Sequence, residues 1–326
     1  MNKNIKLIIN YLLGPLLFVL LAWSLYNQVI HQPDLEVRWQ QVKQSWKQYP
    51  FWIVFILMFV NWGIEARKWQ LLMAPLEKFS LSKAFKAIFA GCSITMLTPN
   101  RIGEYGGRIM YVQEEHRLRA ISLTILGSIS QLTITMFMGA TGLAILKYTG
   151  IVNKASFDNV PWLISDTLFI ISVIVTVMLL LLYFRTGFIT TIITRIGFLK
   201  KLATYIAVLD AFSGKQLLRI LFLSFFRYMV FILQYLLLLK VMEVDIAYPV
   251  SFLLLTVFYL VMAVAPTIGF TELPVRATAS VLIFELFSKN IVGIQAAALG
   301  IWLINLVLPA IFGSLLIFGI KIMKER

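Results

Sequence analysis

The sequence predicts an all-α fold: a polytopic helical membrane protein of about six full spans plus two opposed re-entrant helical hairpins, arranged like an inverted repeat. Three observations carry this expectation. The chain of 326 residues is 60% hydrophobic and only 13% charged, with a mean hydropathy of +0.86, far too little polar surface for a soluble protein of this length. Apolar runs of about 18 residues or more recur, several of them apolar all round, as membrane helices are. Two further apolar regions are interrupted near their centres by proline and glycine. The whole chain, 1–326, reads as a single integral membrane domain.

The full spans fall at roughly 7–30, 50–72, 119–148, 161–184, 214–241 and 293–321. At a rise of about 1.5 Å per residue, each can cross about 30 Å of hydrocarbon. The first begins with a basic stretch, continues longer than a signal-peptide core and is followed by no small-residue cleavage site, so it reads as an uncleaved helix. The interrupted regions are 80–117, broken at Pro99 and Gly103, and 249–287, broken at Pro266 and Gly269.

The distribution of lysine and arginine sets the orientation. Lys3 and Lys6 precede the first span, and Arg67, Lys68, Lys78, Lys83 and Lys86 follow the second. Arg117 and Arg119 precede the third span, and Arg185, Arg195, Lys200, Lys201, Lys215 and Arg219 lie between the fourth and fifth. Lys321, Lys324 and Arg326 close the chain, while the other loops hold only Lys147, Lys154, Lys240 and Lys289. Placing the basic groups inside puts both termini in the cytoplasm of a bacterial inner membrane. Region 80–117 must then enter and leave on the cytoplasmic side, and region 249–287 on the outer side. The alternative, two full spans with loop turns, fits the charge bias less well. Trp69 and Trp162 sit where interface tryptophans are expected, and "RTGFITTIITRIGFLKKLATYI" reads as an amphipathic helix on the inner surface.

A net charge of +14 would suggest nucleic acid in a soluble protein, but here basic cytoplasmic loops and anionic headgroups account for it, and no nucleic acid is expected. One cysteine, Cys92, excludes an intramolecular disulfide. His31 and His116 lack ligand spacing, so no metal is expected. There is no nucleophile elbow, Walker loop or dinucleotide fingerprint, so the chain does not read as an enzyme and no cofactor is expected.

The interrupted regions carry related segments, "TPNRIGEYGGR" and "APTIGFTELPVR". Each has a proline, then Ile-Gly, then a glutamate followed four residues on by an arginine: Glu104 with Arg108 and Glu272 with Arg276. That spacing puts each pair on one helical face, with the glutamate in a first turn, where the helix dipole favours it. Irregular backbone and charge at membrane depth are tolerated only where protein or a water-filled cavity surrounds them. Two such breaks entering from opposite sides mark a transporter site near the midplane. The plainer reading is two interfacial loops whose ion pairs only assist folding. "GEYGG" at a half-helix start beside Arg101 and Arg108 suits a phosphate.

Arg227, within "LFLSFFRYMVFILQYLLLL", is expected to face the bundle interior, with Glu104, Glu272, Asp166 or a lipid phosphate as partner; snorkelling to the inner interface is the alternative. Asp166 reads as an interfacial cap rather than a proton carrier. Glu65 and Arg67 read as interfacial, with a vestibule-lining Glu65 as the alternative. Gln131, Gln234 and Asn305 are expected to bond between helices, and Glu285 to lie at the outer interface.

At these residues the chain resembles the lysylphosphatidylglycerol synthase/flippase transmembrane region. The family segment "P-x-R-x-G-E" is matched by Pro99, Arg101, Gly103 and Glu104; the arginine usual three residues after the glutamate is here Arg108, four residues after. The later "P-x-x-G-G-x-G-x-x-E" segment is matched at Pro266 and Gly269, while Phe270 and Glu272 stand where glycines are usual. Full-length members carry a soluble domain that transfers lysine from tRNA to phosphatidylglycerol. About five residues follow the last span, so the resemblance implies the membrane part alone. That part is linked to moving or presenting modified phospholipids between leaflets. The expected function is a flippase-like transporter of a phospholipid or other lipid-linked headgroup, anionic or aminoacylated. The substrate-binding candidates are Arg101, Glu104, Arg108, Arg227, Glu272 and Arg276. The second reading is a non-transporting scaffold for a separate lipid-modifying or envelope-biosynthesis enzyme. A membrane-embedded enzyme built on Glu104, Glu272 and Tyr105 ranks last. Homo-oligomerisation is left open.

Overall fold

The computed structural model describes residues 35–96, 98, 102–152, 166–185, 187, 200–265 and 272–324, together with Trp23, Tyr26 and Ile30. All regular structure among these residues is helical. The helices are α1 (Leu35–Gln44), α2 (Tyr49–Met73), α3 (Leu81–Met96), α4 (Gly103–Ile109), α5 (Arg117–Tyr148), α6 (Asp166–Phe184), α7 (Lys200–Ile206), α8 (Gly214–Val241), α9 (Tyr248–Val264), α10 (Glu272–Phe284), α11 (Ile291–Trp302) and α12 (Leu308–Lys324), the last two joined by a π-helical turn at Leu303–Val307. Local chemistry sets several starts. Pro50 occupies the first turn of α2, where its missing N–H costs nothing. Ser213 and Gln216 form a reciprocal capping box at the start of α8, satisfying donors that have no helical acceptor.

Among the described residues, five helical segments are long and apolar enough to cross a membrane: Tyr49–Met73, Glu114–Tyr148, Asp166–Phe184, Gly214–Val241 and Ile291–Ile317. The chain is therefore a multi-pass membrane protein. Ile56, Ile174, Leu181, Phe222, Phe226 and Leu315 are exposed on these helices, as residues facing lipid must be. The expected first span lies outside the described residues apart from Trp23, Tyr26 and Ile30, as do Trp162 and most of the expected amphipathic surface helix, of which Gly187 and the α7 region are described.

Pro99, Pro266 and Gly269, three of the four expected break residues, lie outside the described residues, and the described helices flank them. In the first region the described helices are Leu81–Met96 and Gly103–Ile109; in the second they are Tyr248–Val264 and Glu272–Phe284. Ala265 is already extended, at φ −65° and ψ 119°, because the ring of Pro266 disfavours helical backbone in the residue before it. Gly103 starts α4 with its N–H donated to Thr98 Oγ1 at 2.7 Å. The α3 and α4 helices run antiparallel: Gly103 abuts Ile94 and Gly107 abuts Gly91. At Gly107 the approach is so close that any Cβ would overlap the Gly91 backbone.

The packing partners are α2 with α8, α3 with α12 and α9 with α5. Gly313 lets α12 lie directly on the Phe89 carbonyl of α3. The α5–α9 contact uses Gly139 against Leu260 and Gly142 against Thr256. The α6 helix lies on the outside of α5.

Candidate functional site

The site begins with "NWGIEARKW" on α2. Asn61, Trp62, Glu65, Lys68 and Trp69 recur at helical spacing and share one face, and all five are buried. Glu65 and Lys68 lie inside the helix bundle rather than on its surface: they are 3% and 1% exposed, because α8, α5 and the α3–α4 pair close over this face. Trp69, expected at the lipid interface, is fully buried, with the Arg108 guanidinium 5.2 Å from its ring centre.

Glu65 is the hub. Its Oε2 lies 2.8 Å from Lys68 Nζ and 3.2 Å from Arg227 Nη1, and its Oε1 accepts from Arg108 Nη2 at 2.7 Å. Arg108 also pairs with Glu104 one helical turn earlier. Two carboxylates therefore face three cations, leaving one net positive charge in the cluster. Polar groups extend it. Lys68 Nζ donates to the Gly127 carbonyl at 3.3 Å and to Ser224 Oγ at 3.4 Å, and Ser224 lies 2.8 Å from Ser130. Arg227 Nε donates to Asn61 Oδ1 at 3.0 Å, and Asn61 Nδ2 donates to Asn305 Oδ1 at 3.0 Å. Asn305 sits in the π-helical turn and donates back to the Ile301 carbonyl at 3.3 Å. Such turns re-aim side chains inside otherwise regular helices.

Of the cluster's five charged residues, Arg227 lines a cavity of about 510 Å³. Across this cavity lie Glu272 and Arg276 of α10, with Arg276 Nη2 donating to Glu272 Oε1 at 3.2 Å. Aromatic walls come from Trp62, Tyr228, Phe231, Tyr259 and Trp302. The Arg227 guanidinium lies 5.2 Å from the Trp62 ring and 5.3 Å from that of Phe231, close enough for cation–π attraction.

The structure thus joins five of the candidates in two connected places. Arg227, Glu272 and Arg276 share the cavity, and Glu104 and Arg108 reach it through Glu65. Arg101, Pro99, Pro266 and Gly269 lie outside the described residues. Arg227 makes an ion pair with Glu65, which was not among its expected partners, while Glu104 pairs with Arg108 and Asp166 with Lys147. Gln131 bonds to the Ser224 carbonyl at 3.3 Å and accepts from Arg227 at 3.4 Å, and Gln234 bonds across to the Val54 carbonyl at 2.9 Å. Sequence reasoning missed Asn61, Glu65 and Lys68 as parts of one cluster, although their three- and four-residue spacing was available. Among the described residues, no group of three or more His, Cys, Asp and Glu could hold a metal ion.

Fold and site define a multi-pass helical membrane protein with an ionised centre beside an aromatic-walled cavity. The family described as the lysylphosphatidylglycerol synthase TM region matches residues 11–313, and the chain belongs to it. No curated protein and no solved structure matches the chain.

Proposed function

We propose that the protein is a flippase-like transporter that moves or presents a phospholipid, modified or unmodified, or another lipid-linked headgroup, across a bacterial inner membrane. The observation that carries this is the cavity of about 510 Å³ with Arg227, Glu272 and Arg276 in its wall. Ionised side chains inside a membrane bundle are costly and mark pathways for polar cargo, and membership of a lipid-linked family makes a lipid headgroup the fitting cargo.

The reading includes an architecture. Helices α3–α4 and α9–α10 are re-entrant hairpins from opposite faces, the first from the cytoplasm. The contacts favour an inverted repeat, because they are reciprocal. The first arm of one hairpin, α3, packs on the last span, α12; the first arm of the other, α9, packs on α5. The spans that precede the hairpins, α2 and α8, pack on each other. Hairpins that meet from opposite sides bring their breaks near the midplane, where such folds bind cargo. The headgroup would contact Arg227, Arg276 and Glu272, with Glu104 and Arg108 holding the first hairpin to Glu65 and Arg101 completing its tip.

The test is exchange of labelled phospholipid between the leaflets of liposomes containing the purified protein. Wild type is expected to accelerate exchange, and Arg276→Gln to abolish most of it at equal folding. Absence of exchange by wild type, together with co-purification of a lipid-modifying enzyme, would replace transport with the scaffold role.

A further inference from the structure

We propose that α1 is an interfacial anchor. It lies in the headgroup layer of the leaflet that meets the start of α2, the outer leaflet in the proposed orientation, and holds that layer through two tryptophan–lysine pairs, Trp39–Lys43 and Trp46–Lys47. This placement requires only that α2 spans the membrane, whatever cargo the cavity takes.

The segment from Leu35 to Trp46 has three environments at helical spacing. Arg38, Gln41 and Ser45 turn toward the protein: the first two are half-buried and Ser45 is buried. Glu36, Gln40 and Gln44 form an exposed polar side. Between these lies an apolar flank of Leu35, Trp39, Val42 and Trp46. Val42 packs on the core, but Trp39 and Trp46 are more than half exposed. A helix standing in water gains nothing from an exposed aromatic flank, whereas one seated on a bundle at the bilayer surface meets protein, lipid and water at once.

The protein-facing side is docked at one level of the bundle. Gln41 Nε2 donates to the Glu243 carboxylate in the turn after α8, and Gln48 Nε2 donates to the Val241 carbonyl at 3.3 Å. Glu243 has left-handed backbone, φ 54°, which a non-glycine residue keeps only where its surroundings fix it. Asn290, the cap of α11, donates to its carbonyl at 3.1 Å. The α1 helix itself packs on α11, so it sits at the end of α8 and the start of α11.

Continuity with the lipid-facing side of α2 identifies what covers the aromatic flank. Tyr49, Trp52, Ile53, Ile56, Phe59 and Val60 recur at helical spacing along this span and are all exposed. Trp52 Nε1 donates to the Trp46 carbonyl at 2.8 Å, so the flank of α1 prolongs that face past the start of the span. Indole has an apolar body and one polar N–H, the combination that favours the boundary between acyl chains and headgroups. Each exposed tryptophan has an exposed lysine beside it: Lys43 Nζ is 5.8 Å from the Trp39 ring centre and Lys47 Nζ 5.9 Å from that of Trp46. Their stems cover the rings while the ammonium groups reach toward headgroup phosphates.

The experiment uses the full chain in liposomes of phosphatidylethanolamine and phosphatidylglycerol. Spin labels are placed on Trp39→Cys, Gln40→Cys and Gln44→Cys in turn; the native Cys92 is buried. Collision with oxygen, which concentrates in lipid, is compared with collision with a water-soluble nickel chelate. The oxygen-to-nickel ratio at position 39 is expected to exceed that at 40 and 44 about threefold or more. A second measurement keeps the labels out: phospholipid brominated near the headgroup end of its chains should quench wild-type tryptophan emission. Trp39→Phe/Trp46→Phe should lose about a third or more of that quenching, while melting in detergent like wild type, since both side chains are exposed. Nickel access as high at 39 as at 40 and 44 would place α1 in water and overturn the anchor. An immobilised label at 39 with spin–spin broadening would put a second copy of the chain on the flank, and quenching unchanged in the double variant would take both indoles out of the bilayer; either result also overturns it.

Discussion

Glu65 Oε2 and Arg227 Nη1 lie 3.2 Å apart, and this contact is the direct ion pair between two polar assemblies that Ser224 and Gln131 also bridge. On one side are Lys68, Arg108 and Glu104, which hold α4 against α2. On the other is the cavity shared by Arg227, Glu272 and Arg276. A change at Arg227 is therefore felt at the first interrupted region most directly through the Glu65 carboxylate, which also holds Arg108.

Removing that carboxylate's charge should be severe. In Glu65→Gln, Lys68, Arg108 and Arg227 keep their burial and lose their shared counter-ion, for which the expected cost is about 3–5 kcal/mol. The double variant Glu65→Gln/Lys68→Met removes one cation as well and should recover part of the loss, since deleting both members of a buried pair costs less than deleting one. Thermal unfolding in detergent measures both. A Glu65→Gln protein as stable as wild type would contradict the hub assignment.

Two adjacent glycines should behave oppositely. A Cβ at Gly107 would overlap the Gly91 backbone, whereas one at Gly106 meets nothing within 4 Å. Gly107→Ala must push α4 away from α3 and should cost about 1–3 kcal/mol. Gly106→Ala fills open space and adds helix propensity, so it should be neutral or stabilising by up to about 1 kcal/mol. Limited proteolysis and melting in detergent distinguish them, and equal effects would mean that α3 and α4 do not pack as described.

These cases also show what the sequence made legible. The helix end at Val264 was legible because proline acts locally: Pro266 disfavours helix in the residue before it, Ala265, whose backbone is extended. The pairs Glu104–Arg108 and Glu272–Arg276 could be read because an i,i+4 spacing is geometry within one helix. The burial of Arg227 followed from its depth in an apolar run. The burial of Glu65 and Lys68 was not legible because charges near the end of a span ordinarily sit at the interface. Their real environment is made by α8, α5 and α4, and no local rule in "NWGIEARKW" names those neighbours. The periodicity showed a shared face but not what covers it.

The proposed orientation makes a prediction about the two ends of α2. At 25 residues and about 1.5 Å per residue, this helix is about 37 Å long, so Trp46 before it and Lys78 after it must lie on opposite sides of the membrane. Trp46 is exposed, whereas the native Cys92 is buried and should stay silent to a membrane-impermeant thiol reagent. In intact cells Trp46→Cys should label from outside, and Lys78→Cys only after the inner face is opened. The reverse pattern would invert the topology, and with it the side from which each interrupted region enters.

The last prediction separates charge from shape at Arg227. The guanidinium bonds to Asn61 through Nε while reaching Glu65 and Gln131 through Nη1. Lysine keeps the charge but carries one nitrogen at the end of a flexible stem, so it cannot hold Asn61 and Glu65 in the same fixed geometry. Arg227→Lys should therefore unfold within about 1–2 kcal/mol of wild type, because the Glu65 charge is still answered and only neutral hydrogen bonds are lost. Transport should suffer more. Asn61 also donates to Asn305 in the π-helical turn, so loosening Arg227 loosens a chain of contacts from the cavity to α11. Leaflet exchange by Arg227→Lys is expected to fall about tenfold, the effect of roughly 1.4 kcal/mol on a barrier. Wild-type exchange by this variant would mean that a positive charge alone suffices and that the bond to Asn61 serves folding only.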